Sequence, residues 1–326
     1  NFLKTKSMRF HFLKPIAGLI ILLITPSMLH AQLGFEPDRT VKETRLSIIK
    51  NTILTVDDDA KDILIRPFRN PKFELNAVKL FSLIVTDYAT TKAFQDYIEP
   101  LDQYLKPYIS FPTILNQTPF LRNATTGKDG YIYFGFTAMY GAGLLTGNEK
   151  LQEASLLTTK AVIESYVVSH LILKTLIARH RPARPLGDYS EMDKDSEYPF
   201  VHSPFDFFNF HIPVLGSDAY GTGFPSYHAT MYYSIASVMS RVYDNRWLPY
   251  SIMTLGMMHS IRGHNHWVSE LVAGYVIGNF IGKMVYENYH QQRSLSNTIK
   301  PKKKYTADMS VGQTFGVLGP CLTISW

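Results

Sequence analysis

The C-terminal half of this 326-residue chain contains three short segments whose residue types bind and transfer oxyanions. In the first, Lys174 and Arg181 are seven residues apart, so a helix would present both cations on one face. Pro182 follows at once and would end that helix. The spacing therefore predicts a pair of cations that can hold one anion at a helix end.

The second segment runs from Gly223 to His228 and predicts an anion site made of backbone groups. A turn through Gly223 and Pro225 places Ser226 at the start of a helix. The first N–H groups of a helix have no partner within it and can donate to an anion. His228 follows in the first turn of that helix.

The third segment pairs a histidine with a carboxylate. His266 and Glu270 are four residues apart, so on a helix the carboxylate can accept a hydrogen bond from one imidazole nitrogen. Such a bond fixes which nitrogen of His266 carries the proton. Arg262 lies four residues earlier and would share this face on a continuous helix.

Together the segments supply cations, helix-start amides, one histidine held by a carboxylate and a second histidine. This set suits the transfer of a tetrahedral oxyanion, in which one imidazole attacks phosphorus and another protonates the departing alkoxide. Lysine and arginine neutralise the charge on the equatorial oxygens. We therefore expect phosphoryl-transfer chemistry.

In order and approximate spacing, the segments resemble the signature of the type 2 phosphatidic acid phosphatase superfamily, which includes bacterial class A acid phosphatases and vanadium haloperoxidases. The pattern is K-x6-R-P, then P-S-G-H, then S-R-x5-H-x3-D. The first motif is complete, the second has Tyr227 in place of Gly, and the third has Glu270 in place of Asp. The resemblance covers about residues 130–285 and implies an all-α helical bundle of the acid phosphatase/vanadium haloperoxidase type.

The resemblance also implies a role for each matching residue. His266 would be the nucleophile that forms a phosphohistidine, and Glu270 would orient it. His228 would be the general acid for the leaving group and then the base that activates water. No metal ion or other cofactor is expected. The phosphate would be held by Lys174, Arg181, Ser226 and the backbone N–H of Tyr227.

One position of the third motif is displaced. The motif arginine is expected at position 260, which is Ser260, and Arg262 is the nearest substitute as a phosphate ligand. Together with Tyr227, this difference raises a competing hypothesis: a degenerate phosphate- or vanadate-binding protein with weak catalysis.

Each motif residue also has a structural interpretation. Lys174 and Arg181 could form a solvated helix end, where cations are favoured in any case. His228 could be a core histidine, and His266 with Glu270 could be a structural i, i+4 pair.

A metal site is a further alternative in the third segment. His-x-His spacing supplies two imidazoles, so His259, His264 and His266 with Glu270 could bind a metal ion. The remaining polar residues near the motifs are interpreted as scaffold or pocket rim: Arg179, His180 and His264.

Apolar positions recur at helical spacing through most of the chain, so helices are predicted to carry the motifs. The sequence shows no internal repeat and no alternation of strands with helices. The predicted fold class is therefore all-α, with a small β-hairpin in the tail over 309–326. The predicted helices cover 74–107, 131–148, 149–180, 224–243, 247–260 and 264–290.

The predicted helices are compatible both with a soluble protein and with contact between the protein and a membrane. Charges inside the apolar stretches, such as Lys160, Glu164 and Lys174, favour a soluble bundle over a multi-spanning membrane protein. The Gly-rich apolar segment 131–148 and the Phe-rich loop 183–223 instead suit contact with a lipid surface. That loop is interpreted as either a lid over the site or an ordinary surface loop.

The charge of the chain argues against nucleic acid as a partner. The net charge is +6, and the first 31 residues contribute four cations and no acid, so the body is close to neutral. The single cysteine, Cys321, excludes a disulfide within the chain and a cysteine-based zinc ribbon.

The first 31 residues read as a signal peptide. A basic start after Met8 precedes a short apolar run at 16–24 and a small-residue cleavage box at 29–31. A retained membrane anchor is the alternative, although a spanning helix needs about 20 apolar residues. The sequence therefore predicts export to the periplasm or secretion.

These observations give a complete prediction. The leading hypothesis is an exported phosphatase for phosphate monoesters; the alternatives are a membrane-surface lipid phosphate or polyprenyl diphosphate phosphatase and the degenerate binding protein. The predicted regions are a signal peptide at 1–31 (with residues 1–7 as an upstream remnant), an N-terminal extension at 32–72, a helical phosphatase domain at 73–292, and a basic linker and tail at 293–326.

Overall fold

A computed structural model describes most of the chain beyond residue 44. The described residues are 45–69, 71–101, 130–188, 200–210, 223–260, 266–298, 306–314 and 317–325. The predicted signal peptide, Arg262, His264 and the lysine-rich segment 300–304 lie outside them.

The N-terminal part of the described chain is helical. Helix α1 covers Arg45–Leu54 and α2 covers Val56–Arg69, within the region predicted as an extension. Helix α3 covers Pro71–Ala93 and continues as a π-helical segment, Phe94–Ile98, and a 3₁₀ turn, Glu99–Leu101. Acids begin α2 and arginines end it, an order that complements the helix dipole.

A long helical path carries the first motif. Helix α4 covers Gly130–Thr146, and α5 covers Glu149–Ser165, capped by the Asn148 side chain. A π-helical segment, Tyr166–Leu173, and the short helix α6, Lys174–Ile177, follow.

This helical path ends at Ile177, three residues before His180, which was the end predicted from the sequence. Ala178 adopts a left-handed conformation with φ of 41°. The next residues bond instead to the following loop, since Val201 N donates to the carbonyl of Arg181 and Asn209 N donates to that of Ala178. Arg181 also precedes a proline, which disfavours helical geometry. The expectation that Lys174 and Arg181 share one helical face is therefore wrong.

Three further helices carry the other motifs: α7 at Tyr227–Val242, α8 at Trp247–Ser260 and α9 at Val268–Thr298. Ser226 caps α7 by accepting from the N–H of Ala229 at 3.4 Å. His266 precedes α9, and α8 ends at Ser260. The prediction of a continuous helix through Arg262, His266 and Glu270 is therefore also wrong.

The most extensive contact between the described helices joins α7 to α9. Their first turns lie together, and the N–H of Ser226 donates to the carbonyl of Glu270 at 3.1 Å. An apolar core continues along this contact to α5. Its buried members include Leu157, Ala161, Val238, Ile281, Val285 and Tyr289.

The described body is all-α, which confirms the predicted fold class. In the tail, β1 (Thr306–Thr314) and β2 (Val317–Ser325) pair antiparallel, where a small hairpin was expected. Among the described residues, two helical stretches, Glu149–Ile177 and Val268–Ser296, are long and apolar enough to cross a membrane by length and composition alone.

Candidate active site

The centre of the site is the buried pair of His266 and Glu270. Nδ1 of His266 lies 2.8 Å from Oε2 of Glu270. The same oxygen accepts the backbone N–H of Trp267 at 3.3 Å. Although His266 is not on the helix, the residue four positions later still reaches its ring, because Glu270 lies in the first turn of α9.

The other nitrogen of this imidazole faces two hydrogen-bond donors. Nη1 of Arg181 and Oγ of Ser226 each lie 3.4 Å from Nε2 of His266. An arginine can only donate, so Nε2 carries the lone pair and Nδ1 carries the proton given to Glu270. This tautomer is the one that a nucleophilic imidazole requires.

The start of α7 supplies the second motif. Ser226 and Tyr227 are buried, and His228 follows in the first turn with 7% of its surface exposed. The phenol of Tyr227 points into the core, where its hydroxyl lies 3.4 Å from the sulfur of Met231. The bulk that replaces the motif glycine is thus accommodated by the core.

Lys174 brings a deeply buried cation to the site. Its side chain is 2% exposed, and burial lowers its pKa to about 7, assisted by the nearby guanidinium of Arg181. The negative charge of Glu270 opposes this shift. Lys174 and Arg181 therefore lie close enough to interact, although they share no helical face.

Burial also governs the carboxylate of the pair. It raises the pKa of Glu270 to about 8, while Arg179, Arg181 and Lys174 counteract the shift and Asp87 adds to it. Gly223 lies directly against this carboxylate, and a Cβ at that position would overlap it. The glycine of the second segment therefore leaves the space that the Glu270 side chain occupies.

Some predicted residues are not brought to this centre. Arg262 and His264 lie outside the described residues, as does the side chain of His259. In the part of the chain that the structure describes, no group of three or more His, Cys, Asp or Glu side chains could hold a metal ion. His180 pairs with Asp206, its Nδ1 lying 2.9 Å from Oδ2.

Sequence reasoning missed two buried residues near the site. Asp87, on α3, accepts the backbone N–H of Ser269 at 2.9 Å. A charged residue inside the apolar run Phe81–Tyr88 was the available signal. His170 lies in the π-helical segment between the rings of Tyr166 and Tyr227. Burial lowers the pKa of His170 to about 3, so its imidazole is neutral.

Comparisons with known proteins found a family and a relative to which this chain is similar. The chain is 25% identical over 161 residues to the lipid A 4'-phosphatase of Porphyromonas gingivalis; the match covers 47% of this chain and 66% of that protein. No solved structure matches the chain. The model of the PAP2 superfamily matches residues 154–294, which contain all three motifs. Residues 154–294 are thus similar to the PAP2 superfamily, the family whose signature the three motifs resemble.

Proposed function

We propose that the chain is an exported phosphatase that hydrolyses phosphate monoesters through a phosphohistidine at His266, without a metal ion. One observation carries the proposal: Nε2 of His266, the ring nitrogen that does not contact Glu270, lies 3.4 Å from both Arg181 and Ser226. A phosphate bound by those two donors would have its phosphorus next to the attacking nitrogen. The PAP2 family match and the phosphatase named above support the reaction class.

The residues account for both steps of such a reaction. First, Nε2 of His266 bonds to phosphorus while the bond from phosphorus to the ester oxygen breaks. His228 gives that oxygen a proton, so the alcohol leaves uncharged. A water molecule then gives a proton to His228 and attacks phosphorus, which frees His266 and releases inorganic phosphate.

The surrounding charges stabilise the intermediate. The imidazole carries a positive charge once Nε2 is bonded to phosphorus, and Glu270 balances that charge through Nδ1. Lys174 and Arg181 offset the charge that develops on the equatorial oxygens. Neither task requires a metal ion.

The nucleophile assignment is tested by His266→Ala. We expect no phosphate release from a chromogenic phenyl phosphate ester, and no acid-labile phosphate on the peptide that contains residue 266. The wild-type protein, quenched during turnover, should carry that label. Activity retained in the variant contradicts the assignment, and vanadate binding by a wild-type protein without turnover supports the degenerate binder.

His228→Asn tests the general acid. A good leaving group needs little protonation, so a nitrophenyl phosphate should lose much less activity than an alkyl phosphate, which should slow by about 10²–10⁴-fold. Equal losses on both esters would show that His228 acts in another way.

A lipid phosphate is the second candidate substrate, favoured by the apolar surface of the bundle. Helix α3 exposes at least half the surface of four apolar residues along one face. Helix α8 exposes four more. The eight residues are Leu75, Val78, Phe81, Val85, Trp247, Leu248, Ile252 and Leu255. Contact of such faces with lipid would bring the site to a membrane-bound ester.

The substrate classes are separated by matched esters. A long-chain phosphatidic acid in detergent micelles and glycerol phosphate carry the same reacting group and differ in their acyl chains. Under the lipid hypothesis, kcat/KM for the lipid exceeds that for glycerol phosphate by at least tenfold. A preference for the water-soluble ester contradicts it.

A further inference from the structure

Arg179 stands at an unspecified position inside the first motif and is completely buried beside the Glu270 carboxylate. Its Nη1 lies 2.8 Å from Oγ of Ser269 and 3.9 Å from Oε1 of Glu270. Its Nη2 donates to Asp87 Oδ2 at 2.8 Å and to the carbonyl of Pro204 at 2.6 Å.

Aromatic rings confine this guanidinium. The rings of Phe207 and Trp267 each lie 4.8 Å from Cζ of Arg179, within cation–π distance. The indole N–H of Trp267 donates to the carbonyl of His180, which fixes that ring in turn. Arg179 is therefore held in one position with its charge directed at α9.

Helix α3 caps the start of α9. Thr91 accepts the N–H of Val268 at 3.0 Å, and Asp87 accepts the next N–H, that of Ser269, at 2.9 Å. The hydroxyl of Ser269 also bonds to Asp87. These contacts satisfy two of the N–H groups that a helix start leaves unpaired, and they fix the turn that carries Glu270.

The two oxygens of Glu270 have different surroundings. Oε2 accepts from His266 and Trp267, whereas Oε1 accepts no hydrogen bond from the described residues. Arg179 faces Oε1 as an ion-pair partner. The charged and titratable groups that act on Glu270 are Arg179, Arg181, Lys174, Asp87 and His266.

We propose that Asp87 and Arg179 form a positioning pair in which Arg179 keeps Glu270 ionised and Asp87 holds the turn that directs Glu270 at Nδ1 of His266. Asp87 holds both the guanidinium and the first turn of α9, and Arg179 supplies the positive charge that opposes the loss of ionisation on burial. This inference rests on the proposed function, because it concerns how the nucleophile is kept ready. Asp87 lies outside the segment 154–294 that carries the family match.

The proposed pair predicts the direction in which the pH profile of activity shifts in each variant. Activity should fall at low pH as Glu270 becomes protonated. This fall is the acid limb of the pH profile, and kcat/KM reports it for the free enzyme. Arg179→Met removes a neighbouring positive charge, so the limb should move to higher pH by about 1–3 units. Arg179→Lys keeps the charge and should leave the limb near its wild-type position.

Asp87→Asn should act in the opposite direction. The asparagine is nearly isosteric and removes a negative charge that disfavours the ionised form of Glu270. The limb should therefore move to lower pH, although the rate falls because the guanidinium is less well held. This variant keeps the proposal testable if Arg179→Met does not fold.

The experiment measures the pH dependence of phosphate release from a phenyl phosphate ester by the full chain and these variants. Arg66→Met, on the partly exposed surface of α2, is the control for the same substitution and should keep the wild-type profile. If the wild-type protein is active and the acid side of the pH profile stays unshifted in both Arg179→Met and Asp87→Asn, this inference alone is overturned. An inert wild-type protein overturns the proposed function and this inference together.

Discussion

At the scale of single residues, the site holds charges that the fold would be more stable without. Lys174 is 2% exposed, and burial lowers its pKa to about 7. The folded protein therefore binds fewer protons here than the unfolded chain between pH 7 and the ordinary lysine pKa, so stability rises with pH across that window. Below pH 7 the buried ammonium is charged and destabilises the folded state, yet that is the form proposed to bind phosphate.

Lys174→Met should separate the two roles. Removing a buried charge is often stabilising, so we expect the free energy of unfolding at pH 6 to rise by ~1–4 kcal/mol while phosphate binding is lost. The gain should shrink as the pH rises above 7. Denaturant unfolding and calorimetric titration with inorganic phosphate measure both effects.

Lys61→Met, at an exposed position of α2, is the control and should change stability by less than about 0.5 kcal/mol. A destabilised Lys174→Met variant would show that the lysine stabilises the fold.

At the scale of helices, the contact between α7 and α9 determines where the proposed catalytic groups lie. Three glycines of α9, spaced by four, form the contact surface. A Cβ on Gly274 would lie 2.7 Å from the carbonyl oxygen of Ser226, and a Cβ on Gly278 would overlap that of Thr230. Because these glycines have no side chains, the two helices approach closely. The first turns, which carry Ser226 and Glu270, therefore stay within hydrogen-bond distance.

Gly278→Ala should disturb this contact. The obstructing atoms are backbone, which cannot rotate away, so we expect a loss of about 1–3 kcal/mol in stability and a lower kcat/KM. Gly141→Ala in α4 is the matched control, since a Cβ there meets no atom within 4 Å. That change should be neutral or stabilising by up to about 1 kcal/mol. Thermal melting of both variants would measure this, and equal melting temperatures would contradict the close-packing interpretation.

At the scale of the whole molecule, the apolar surface supports the lipid contact considered under the proposed function. Helices α3 and α8 each expose four large apolar side chains, and two of the described helical stretches could cross a membrane by length and composition. Such a surface argues against the freely soluble bundle that the charges within the helices suggested.

We expect the full chain, expressed in bacteria, to sediment with membranes and to be released by mild detergent. Concentrated salt should leave it in place, because salt screens charges but strengthens apolar contact. Release by salt alone would show that charged groups attach the protein, and recovery in the soluble fraction without detergent would contradict lipid contact altogether.

The sequence by itself determined the fold class and the candidate site residues. Helical spacing of apolar residues specifies helices wherever they form, so an all-α body was readable without coordinates. The motif residues Lys174, Arg181, Ser226, His228, His266 and Glu270 were likewise identified from type and order alone.

Only the tertiary structure decided how these residues meet. Helical periodicity cannot show where a helix gives way to loop contacts, so the end at Ile177 and the start at Val268 were missed and two helical-face arguments failed. Nor can local spacing link α3 to α9 across about 180 residues, which is why Asp87 went unnoticed. Its role depends on a buried hydrogen bond that only the packed chain can form.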